Sequence, residues 1–507
     1  TKIVLKDSTF RDPTKPQSMM WCGGFGSADW FHNHIENIAF DIGRDNPGAI
    51  GLQFYSNNYG ALRHVRITDR DGTGVIGLHL GYADMNGPLL VKHCEITGFG
   101  IGIQSGFAVN GQVIEHVTLE GQQEVGISNA GQSLKIRSMR SQNRVPAVMA
   151  YGTTVLVDAT LEGIEGANSL PAVVNYNGGR LYVRDLEAPG YRRAIASVES
   201  PDSVQAFQMG ADQQPHTIGP RIEEYASTQA TVMGNDPWKS LRLPVRETPE
   251  LEWESPEAWA NAVDFGADPT GSRDSSEAIQ RAIDSGAKTV FLPGFMAITK
   301  TVIVRSRVER IIGTGGWLDY TSQAKPTLRI EDGAAPIVFL EHLSSVHGGI
   351  EVDTARPIVF KSMGIHRLSF TAKTQGSEVY MEDVTTLDLQ LNRQRMWARQ
   401  LNIENEGTHL TNRNGDAWIL GYKTERGGTL ACTEQGGKTE ILGGFSYTTT
   451  AGKLAPMFVT RDASTFAYFG EVCFNGDPYE VLIEHERAGR TERIRRGEGD
   501  TLPYVAP

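Results

Sequence analysis

A column of polar and aromatic residues recurs in the first half of the chain, at one place in a repeated motif. In the first copy the apolar residues Ile50 and Leu52 face inward, so Gln53 faces outward, because side chains alternate between the two faces of a strand. The same position in successive copies is occupied by Gln53, His79, Gln104, Ser128, Tyr151 and Tyr176. Amide, imidazole and aromatic groups bind the hydroxyls and apolar C–H faces of sugars. The column therefore predicts a substrate-binding stripe for a glycan, and an ordinary solvated face is the alternative.

Two loops beside this column carry further candidates. The sequences YSNNYG, at 55–60, and GYADMNG, at 81–87, follow neighbouring copies of the motif, so we expect the two loops to touch. Tyr55 and Asn58 would then extend the substrate-binding stripe, and Asp84 would add a carboxylate next to it.

The motif that holds the column is one of two interleaved repeats. One repeat has the pattern apolar–x–x–apolar–x–apolar and starts at Ile35, Leu62, Val91 and Ile114, with looser copies from 134, 156 and 181. The other has apolar leaders at Ile50, Ile76, Ile101, Val125, Val148 and Val173. Both have a period of about 25 residues, which predicts a parallel β-helix with at least two strands in each coil. A propeller blade needs roughly 40 residues, and the Leu/Asn ladder of a leucine-rich repeat is absent.

Composition and charge exclude several classes of function. Glycine makes up 56 of the 507 residues, and a high glycine content suits short strands joined by tight turns. The net charge of −12 argues against a nucleic-acid partner, and no apolar run is long enough for a membrane-spanning helix. The four cysteines form no C-x-x-C motif, and no acidic cluster has ligand spacing, so we predict no metal site and no cofactor. The oligomeric state is left open.

The repeat is lost over residues 201–260, where prolines break the chain into an extended connector. Packing is the expected role of its tryptophans, Trp238, Trp253 and Trp259. The pattern then predicts a short strand around Asp264, a turn-rich loop at 266–273 and a helix capped by Asp274 or Ser275. Its apolar face consists of Ala278, Ile279, Ala282 and Ile283, and a strand is expected at 289–294.

This segment, VDFGADPTGSRDSSEAIQRAI…VFLPG, resembles the opening of pectate-lyase-like right-handed β-helix proteins, in which the helix caps the open end of the solenoid. The expected fold is all-β, with two tandem right-handed parallel β-helices, an irregular linker and a short capping helix at the start of the second. The expected divisions are 1–200, which lacks its own N-terminal cap, a linker at 201–260, a second β-helix at 261–482 and a charged tail at 483–507. By analogy with the second capping segment, we expect about 50–100 further residues before Thr1.

The tandem layout resembles glycoside hydrolase family 55, the exo-β-1,3-glucanases and their bacterial relatives. The likeness is sharpest in GLQFYSNNYGALRHV, GLHLGYADMNGPLLV and GDAWILGYKTERGGTL. It implies that Glu425 matches a family carboxylate and that Gln53 matches a substrate-facing glutamine. The catalytic acid of the family has no counterpart, because residues 441–450 contain no carboxylate. Inverting hydrolysis needs two carboxyl groups about 6.5–9.5 Å apart.

The acid partner of Glu425 is therefore open, and the candidates are Asp84, from the first domain, and Glu434, with Glu440 in the same region. The alternative for Glu425 is an ion pair with Lys423 or Arg426 on an exposed coil.

Three classes of function follow from these observations. The first is a secreted glycoside hydrolase, extracellular or periplasmic, that acts on a β-glucan-type polysaccharide or oligosaccharide. The second is a polysaccharide lyase acting on a uronate-containing glycan, for which Arg393, Arg395 and Arg399 are the candidate cations. The third is a glycan-binding or tail-spike-like β-helix without turnover.

Overall fold

The computed structural model describes residues 1–26, 28–176, 179–198, 215–233, 239–321, 323–497 and 504–506. The chain divides into two compact units. The first unit comprises 1–230 with 443–445 and 468–470, and the second comprises 231–442, 446–467 and 471–507.

The first unit is a parallel β-solenoid whose coils contain three short strands. A representative coil has strands Ala61–Arg63, Arg66–Thr68 and Ile76–His79, each paired in parallel with its counterpart in the next coil. The strands of the long sheet, among the described residues, are Lys2–Val4, His34–Glu36, Ala39–Asp41, Ala61–Arg63, Arg66–Thr68, Leu89–Lys92, Glu95–Thr97, Gly111–Glu115, Thr118–Glu120, Ser133–Arg137, Arg140–Asn143, Thr153–Gly163, Arg180–Glu187 and Arg221–Ala226. The strands of the short sheet are Gln17–Cys22, Ala49–Phe54, Ile76–His79, Ile101–Gly106, Val125–Ala130, Val148–Ala150, Pro171–Tyr176 and Arg193–Val198. Only the strand at 221–226 pairs antiparallel among those described here.

The corner between the first two strands of a coil explains the first sequence repeat. The third residue of that motif adopts a left-handed backbone conformation in successive coils, with φ of 57° at Asn37, 52° at His64, 53° at His93 and 52° at His116. Asparagine and histidine tolerate this region better than branched residues do. The imidazole rings of His64, His93 and His116 consequently stack, with centroids 5.0 and 4.8 Å apart.

The glycine of the second repeat is required by close packing. A Cβ atom on Gly77 would lie 2.4 Å from the Cγ2 atom of Ile96 and 2.8 Å from the carbonyl oxygen of Gly102. The core of the unit is formed by inward apolar side chains from all three strands of each coil, including Leu52 and Ile67. The corner between two strands therefore explains the first repeat, and the close packing at the glycine explains the second.

The second unit is also built mainly from parallel strands. Its longest sheet contains Thr231–Val232, Ala260–Asn261, Thr270–Asp274, Thr289–Leu292, Phe295–Ala297, Arg310–Gly313, Trp317–Leu318, Val338–Glu341, Ser345–Val346, Ile358–Ile365, Glu378–Thr386, Arg395–Glu404, Asp416–Glu425, Lys438–Thr448, Ser464–Cys473 and Tyr504–Ala506. A four-stranded sheet contains Val302–Ser306, Leu328–Gly333, Ile350–Val352 and Leu368–Phe370. A six-stranded sheet contains Leu389–Asn392, Leu410–Arg413, Ala431–Glu434, Phe458–Arg461, Val481–Arg487 and Arg490–Arg495. The last two strands form an antiparallel hairpin, most of which lies in the predicted charged tail, 483–507.

Helix is scarce in the described part of the chain. The α-helices are Pro215–Ile218 and Ser276–Asp284, and the short 3₁₀ helices are Ala167–Ser169, Pro256–Ala258, Ala262–Phe265 and Ala372–Thr374. None of the helices in the described ranges has the length and apolar character needed to cross a membrane.

In the segment at 261–294 the helix forms as predicted, whereas the residues before the helix differ from the prediction. Ser276 donates its backbone N–H to the carboxylate of Asp274 at 3.1 Å, and the helix buries its predicted apolar face. A 3₁₀ helix replaces the strand predicted around Asp264, because Asn261 accepts a hydrogen bond from the N–H of Val263 and turns the backbone. Part of the predicted loop is a strand, Thr270–Asp274. The capping role of the helix, the tandem right-handed arrangement and the four predicted divisions stay predictions.

Residues 239–255 of the connector have no regular secondary structure and are held by side chains of the second unit. The carboxylate of Glu440 accepts the backbone N–H groups of Arg242 and Leu243 at 2.8 and 3.2 Å. Trp253 lies against the guanidinium of Arg310, 4.0 Å from ring centroid to Cζ, and Trp259 lies 6.0 Å from Trp253. These two tryptophans pack as expected, whereas Trp238 lies outside the described residues.

Candidate functional site

The outward column of the first unit is formed by four of its six predicted members. Gln53 pairs with His79, His79 with Gln104, and Gln104 with Ser128 on successive coils. The Nε2 atom of Gln53 lies 3.5 Å from Nδ1 of His79. Burial lowers the pKa of His79 to about 4, so its imidazole is neutral at neutral pH. These side chains form a row of uncharged hydrogen-bonding groups.

Tyr151 and Tyr176 are not in this column, so the predicted alignment of the repeat copies is wrong for these two residues. Met149 pairs with Ser128 and Val174 pairs with Met149 on the next coils, because Val148 pairs with Ile127 and not with Val125. The reason is that the chain advances 21 residues from Ile127 to Val148, whereas it advances 24 from Ile103 to Ile127 and 25 from Val148 to Val173. Tyr151 is exposed, whereas Tyr176 is 7% exposed.

The loops beside the column touch, as expected, but their tyrosines have a structural role. The N–H of Ser56 in the first loop donates to Oδ1 of Asn86 in the second at 3.0 Å. Tyr55 is fully buried, and its hydroxyl donates to the carbonyl oxygen of Asp84 at 3.0 Å. Asn58 is half-buried at a left-handed turn, and Asp84 is exposed. Tyr55 therefore anchors a loop, while substrate binding by Asn58 stays a prediction.

An exposed aromatic cluster next to the column was missed by the sequence analysis. Trp21 pairs with Gln53 on the preceding coil, and its ring meets Phe25 edge-on at 4.5 Å. Trp30 lies 5.2 Å from Phe25, and all three aromatic side chains are exposed. The signal was present in the aromatic-rich and glycine-rich stretch WCGGFGSADWF, which precedes the first regular repeat.

In the second unit, Glu425 forms a cluster with a second glutamate that the sequence analysis did not select. Glu404 and Glu425 are paired in register on adjacent strands. The Nζ atom of Lys423 lies 2.7 Å from Oε1 of Glu404 and 2.8 Å from Oε2 of Glu425. Asn402 donates to the same Glu404 oxygen at 2.9 Å. One ammonium group therefore holds two carboxylates on neighbouring coils.

The lysine and Glu404 of this cluster keep their charges although the cluster is largely buried. The Lys423 side chain is 3% exposed, whereas those of Glu404 and Glu425 are 22% and 31% exposed. Burial alone would lower the pKa of Lys423, but Glu404 and Glu425 raise it above its usual value. Burial alone would raise the pKa of Glu404, but Lys423 and the hydrogen bond from Asn402 lower it. The lysine is a cation and Glu404 is a carboxylate whose edge reaches solvent.

An aromatic pair continues this column on the next coils. The N–H of Arg426 donates to the carbonyl oxygen of Tyr447 at 3.0 Å, which places Tyr447 beside Glu425 in the parallel ladder. The ring of Tyr447 stacks with that of Phe474 at 5.7 Å and 16°, and Phe474 is 55% exposed. Burial and the charge of Glu425 raise the pKa of Tyr447. The sequence had indicated that a carboxylate was missing from this stretch, and the structure places a protonated phenol there.

Glu434 does not belong to this cluster. It lies on the six-stranded sheet, whereas Glu425 lies on the sixteen-stranded sheet. Its carboxylate pairs with Arg413 at 2.5 Å and with Arg461 at 3.7 Å. These contacts account for Glu434 as part of a ladder of ion pairs along its own sheet. Asp84 lies in the first unit, and its role as an acid stays a prediction.

The three arginines considered for a uronate do not form one open cationic site. Arg399 is fully buried, with its guanidinium 5.1 Å from the ring of Trp418. Arg395 pairs with Glu378 at 2.9 Å, and Arg393 donates to Gln375 at 3.1 Å.

No family model matches the chain, and no curated protein matches it. The solved structures similar to the chain include two of sacteLam55A from Streptomyces sp. SirexAA-E. One is 11% identical, with 86% of this chain and 92% of that chain covered and a TM-score of 0.31. The other, of a variant in complex with glucose, is also 11% identical, with 84% and 93% covered and a TM-score of 0.33.

sacteLam55A is a glycoside hydrolase family 55 protein. This is the family that the sequence resemblance named. At this identity and TM-score, the likeness shows neither an activity nor a substrate for the present chain.

Proposed function

We propose that the protein is a glycoside hydrolase that acts on a β-glucan-type polysaccharide, with Glu425 as the base. The observation that carries the proposal is the carboxylate of Glu425, which reaches solvent while bonded to the buried ammonium of Lys423. A base must be ionised near neutral pH and accessible to water.

The surrounding residues suit a sugar ring. The carboxylate of Glu404 accepts hydrogen bonds from sugar hydroxyls, because carboxylates are strong acceptors. The exposed face of Phe474, backed by Tyr447, offers the flat apolar surface on which the C–H face of a pyranose stacks. Lys423 positions both glutamates, and Glu425 accepts a proton from the attacking water.

A non-catalytic glycan-binding protein is the second candidate, and the same cluster favours it in one respect. Hydrolysis also needs a protonated acid at the leaving oxygen, and Lys423 holds Glu404 as a carboxylate. The proposed acid therefore comes from outside this cluster, and we propose that the protein acts outside the cytoplasm. A lyase is less favoured because the candidate arginines are buried or paired.

A glycan panel with product detection tests the proposal. The purified chain is incubated with a neutral β-1,3-glucan, a neutral β-1,4-glucan and polygalacturonate. Hydrolysis predicts new reducing ends from a neutral glucan. Absorbance of an unsaturated uronate would instead indicate elimination, and retention of a glycan without products would indicate the binding protein.

A further inference from the structure

The column of Glu404 and Glu425 continues across earlier coils of the second unit. Their strands pair residue by residue with those that end at Thr386, Ile365 and Val346. The residue that follows each of these strands occupies the same position on its coil as Glu404 does. These residues are His347, His366 and Leu387. The imidazole rings of His347 and His366 are 4.1 Å apart, as neighbours in one column should be.

At the far end of this column lies an exposed aromatic shelf, formed by Phe295, Trp317 and Tyr320. The rings of Trp317 and Tyr320 stack at 5.0 Å and 14°, and Phe295 meets Trp317 edge-on at 5.7 Å. Tyr320 is 65% exposed and Phe295 is 51% exposed. A hollow of about 290 Å³ lies against these rings. His347 joins the shelf to the column, with its ring 5.5 Å from Trp317 and 5.2 Å from Tyr320.

A polar groove of about 840 Å³ lies beside the column and is lined by His347, His366 and Leu387. It lies where the four-stranded sheet ends, at Leu368–Phe370, and the six-stranded sheet begins, at Leu389–Asn392. The polar side chains that line it include Lys325, Glu351, Arg367, Ser369, Asp388 and Gln390. Acidic and basic groups are mixed along the groove, so neither sign of charge dominates.

His347 adds an observation that points to a ligand. Its Nε2 atom is buried and has no hydrogen-bond partner, although the residue lines the groove. A buried polar atom without a partner costs free energy that a ligand hydroxyl would recover. Burial lowers the pKa of both His347 and His366, so their imidazoles are neutral hydrogen-bonding groups.

We propose that the shelf, His347, His366 and the groove bind an uncharged glycan chain that extends to Glu404 and Glu425. Four coil steps separate Trp317 from Glu404, which is about 19 Å at about 4.8 Å for each step. A chain of several sugar units spans this length, and a disaccharide does not. The proposal rests on the proposed function for its ligand class.

Calorimetry tests the proposed binding of a glycan chain along the shelf and the groove, and it does not require turnover. The probes are a β-1,3-glucan hexasaccharide and the corresponding disaccharide, with wild type, Trp317→Ala, Tyr320→Ala and, as a matched exposed aromatic control, Phe107→Ala. We expect the two shelf variants to bind the hexasaccharide at least tenfold more weakly than wild type does. The disaccharide affinity and the melting temperature should be unchanged, and Phe107→Ala should match wild type.

Equal hexasaccharide affinity in wild type and both shelf variants would overturn the proposal. Tighter binding of an oligogalacturonate than of the neutral hexasaccharide would also overturn it. Failure of the proposed function is seen separately, as absence of products from wild type in the glycan panel. A His347→Ala variant gives a second test, because loss of its imidazole should weaken hexasaccharide binding even if a tryptophan variant folds poorly.

Discussion

The two units carry outward columns of different chemistry on the same kind of scaffold. In the first unit, Gln53, His79 and Gln104 present uncharged hydrogen-bonding groups on successive coils. In the second unit, Glu404 and Glu425 present carboxylates held by one buried ammonium. Coil stacking brings equivalent positions together in both. The uncharged groups of the first column suit hydrogen bonds to a sugar, and the proposed hydrolysis belongs to the second column.

The largest effect is expected from removal of the ammonium. Lys423→Met leaves Glu404 and Glu425 facing each other without a cation, and we expect the free energy of unfolding to fall by about 3 kcal/mol, at the low end for a broken buried pair because both carboxylates are partly solvated. Chemical denaturation measures this loss. Lys300→Met, which breaks an exposed pair with Glu277, is the control and should change little. Equal losses in the two variants would contradict a buried, charge-centred cluster.

A smaller effect is expected in the neutral column. His79→Ala should weaken oligosaccharide binding by about 1–2 kcal/mol with the melting temperature unchanged, because a partly exposed hydrogen-bonding group is lost. Tyr151→Ala should have less effect, since Tyr151 lies outside the column. Titration calorimetry with one oligosaccharide compares the two variants. If His79→Ala lowers stability and leaves affinity intact, the column is structural.

The smallest effects are differences in pH dependence. The pKa of His79 is lowered to about 4 from 6.5, so the folded state binds fewer protons there than the unfolded state, and stability falls as pH decreases from about 6.5 to 4. Lys423 lowers the pKa of Glu404 below 4.5, so its contribution is present above that pH and is lost as pH falls through the folded value.

Unfolding measured from pH 7 to pH 3 separates the two columns. His79→Gln should remove part of the pH dependence above pH 4, and Glu404→Gln should remove part of it below 4.5. If both variants change the same pH range, the two columns do not differ in charge as described.

The solenoid followed from the sequence because its coils are local repeats with one hydrophobic period. The corner at Asn37 and His64 and the glycine at Gly77 each left a recurring signal. The register after Ser128 could not be predicted in the same way, because one coil, from Ile127 to Val148, is shorter than its neighbours and shifts the residues that follow.

The site was predictable only in part. Glu425 was selected through a resemblance, whereas Glu404 lies one coil earlier and has no motif of its own. The pairing of Glu404 with Glu425 depends on the number of residues in one coil, which composition and spacing alone do not fix. The shelf at Trp317 was missed for the same reason, since its continuity with Glu404 appears only through four successive ladders.

The most direct test of the central assignment is the turnover of Glu425→Gln beside that of Glu434→Gln on the neutral glucan that wild type hydrolyses. Both substitutions preserve shape and remove one negative charge, but Glu434 is paired on another sheet. We expect Glu425→Gln to lose turnover at least 10²-fold with oligosaccharide binding preserved, within the usual ~10²–10⁴-fold contribution of a general base. Glu434→Gln should retain nearly full turnover. Wild-type turnover in Glu425→Gln, or an equal loss in both variants, would contradict the assignment of the chemistry to this column.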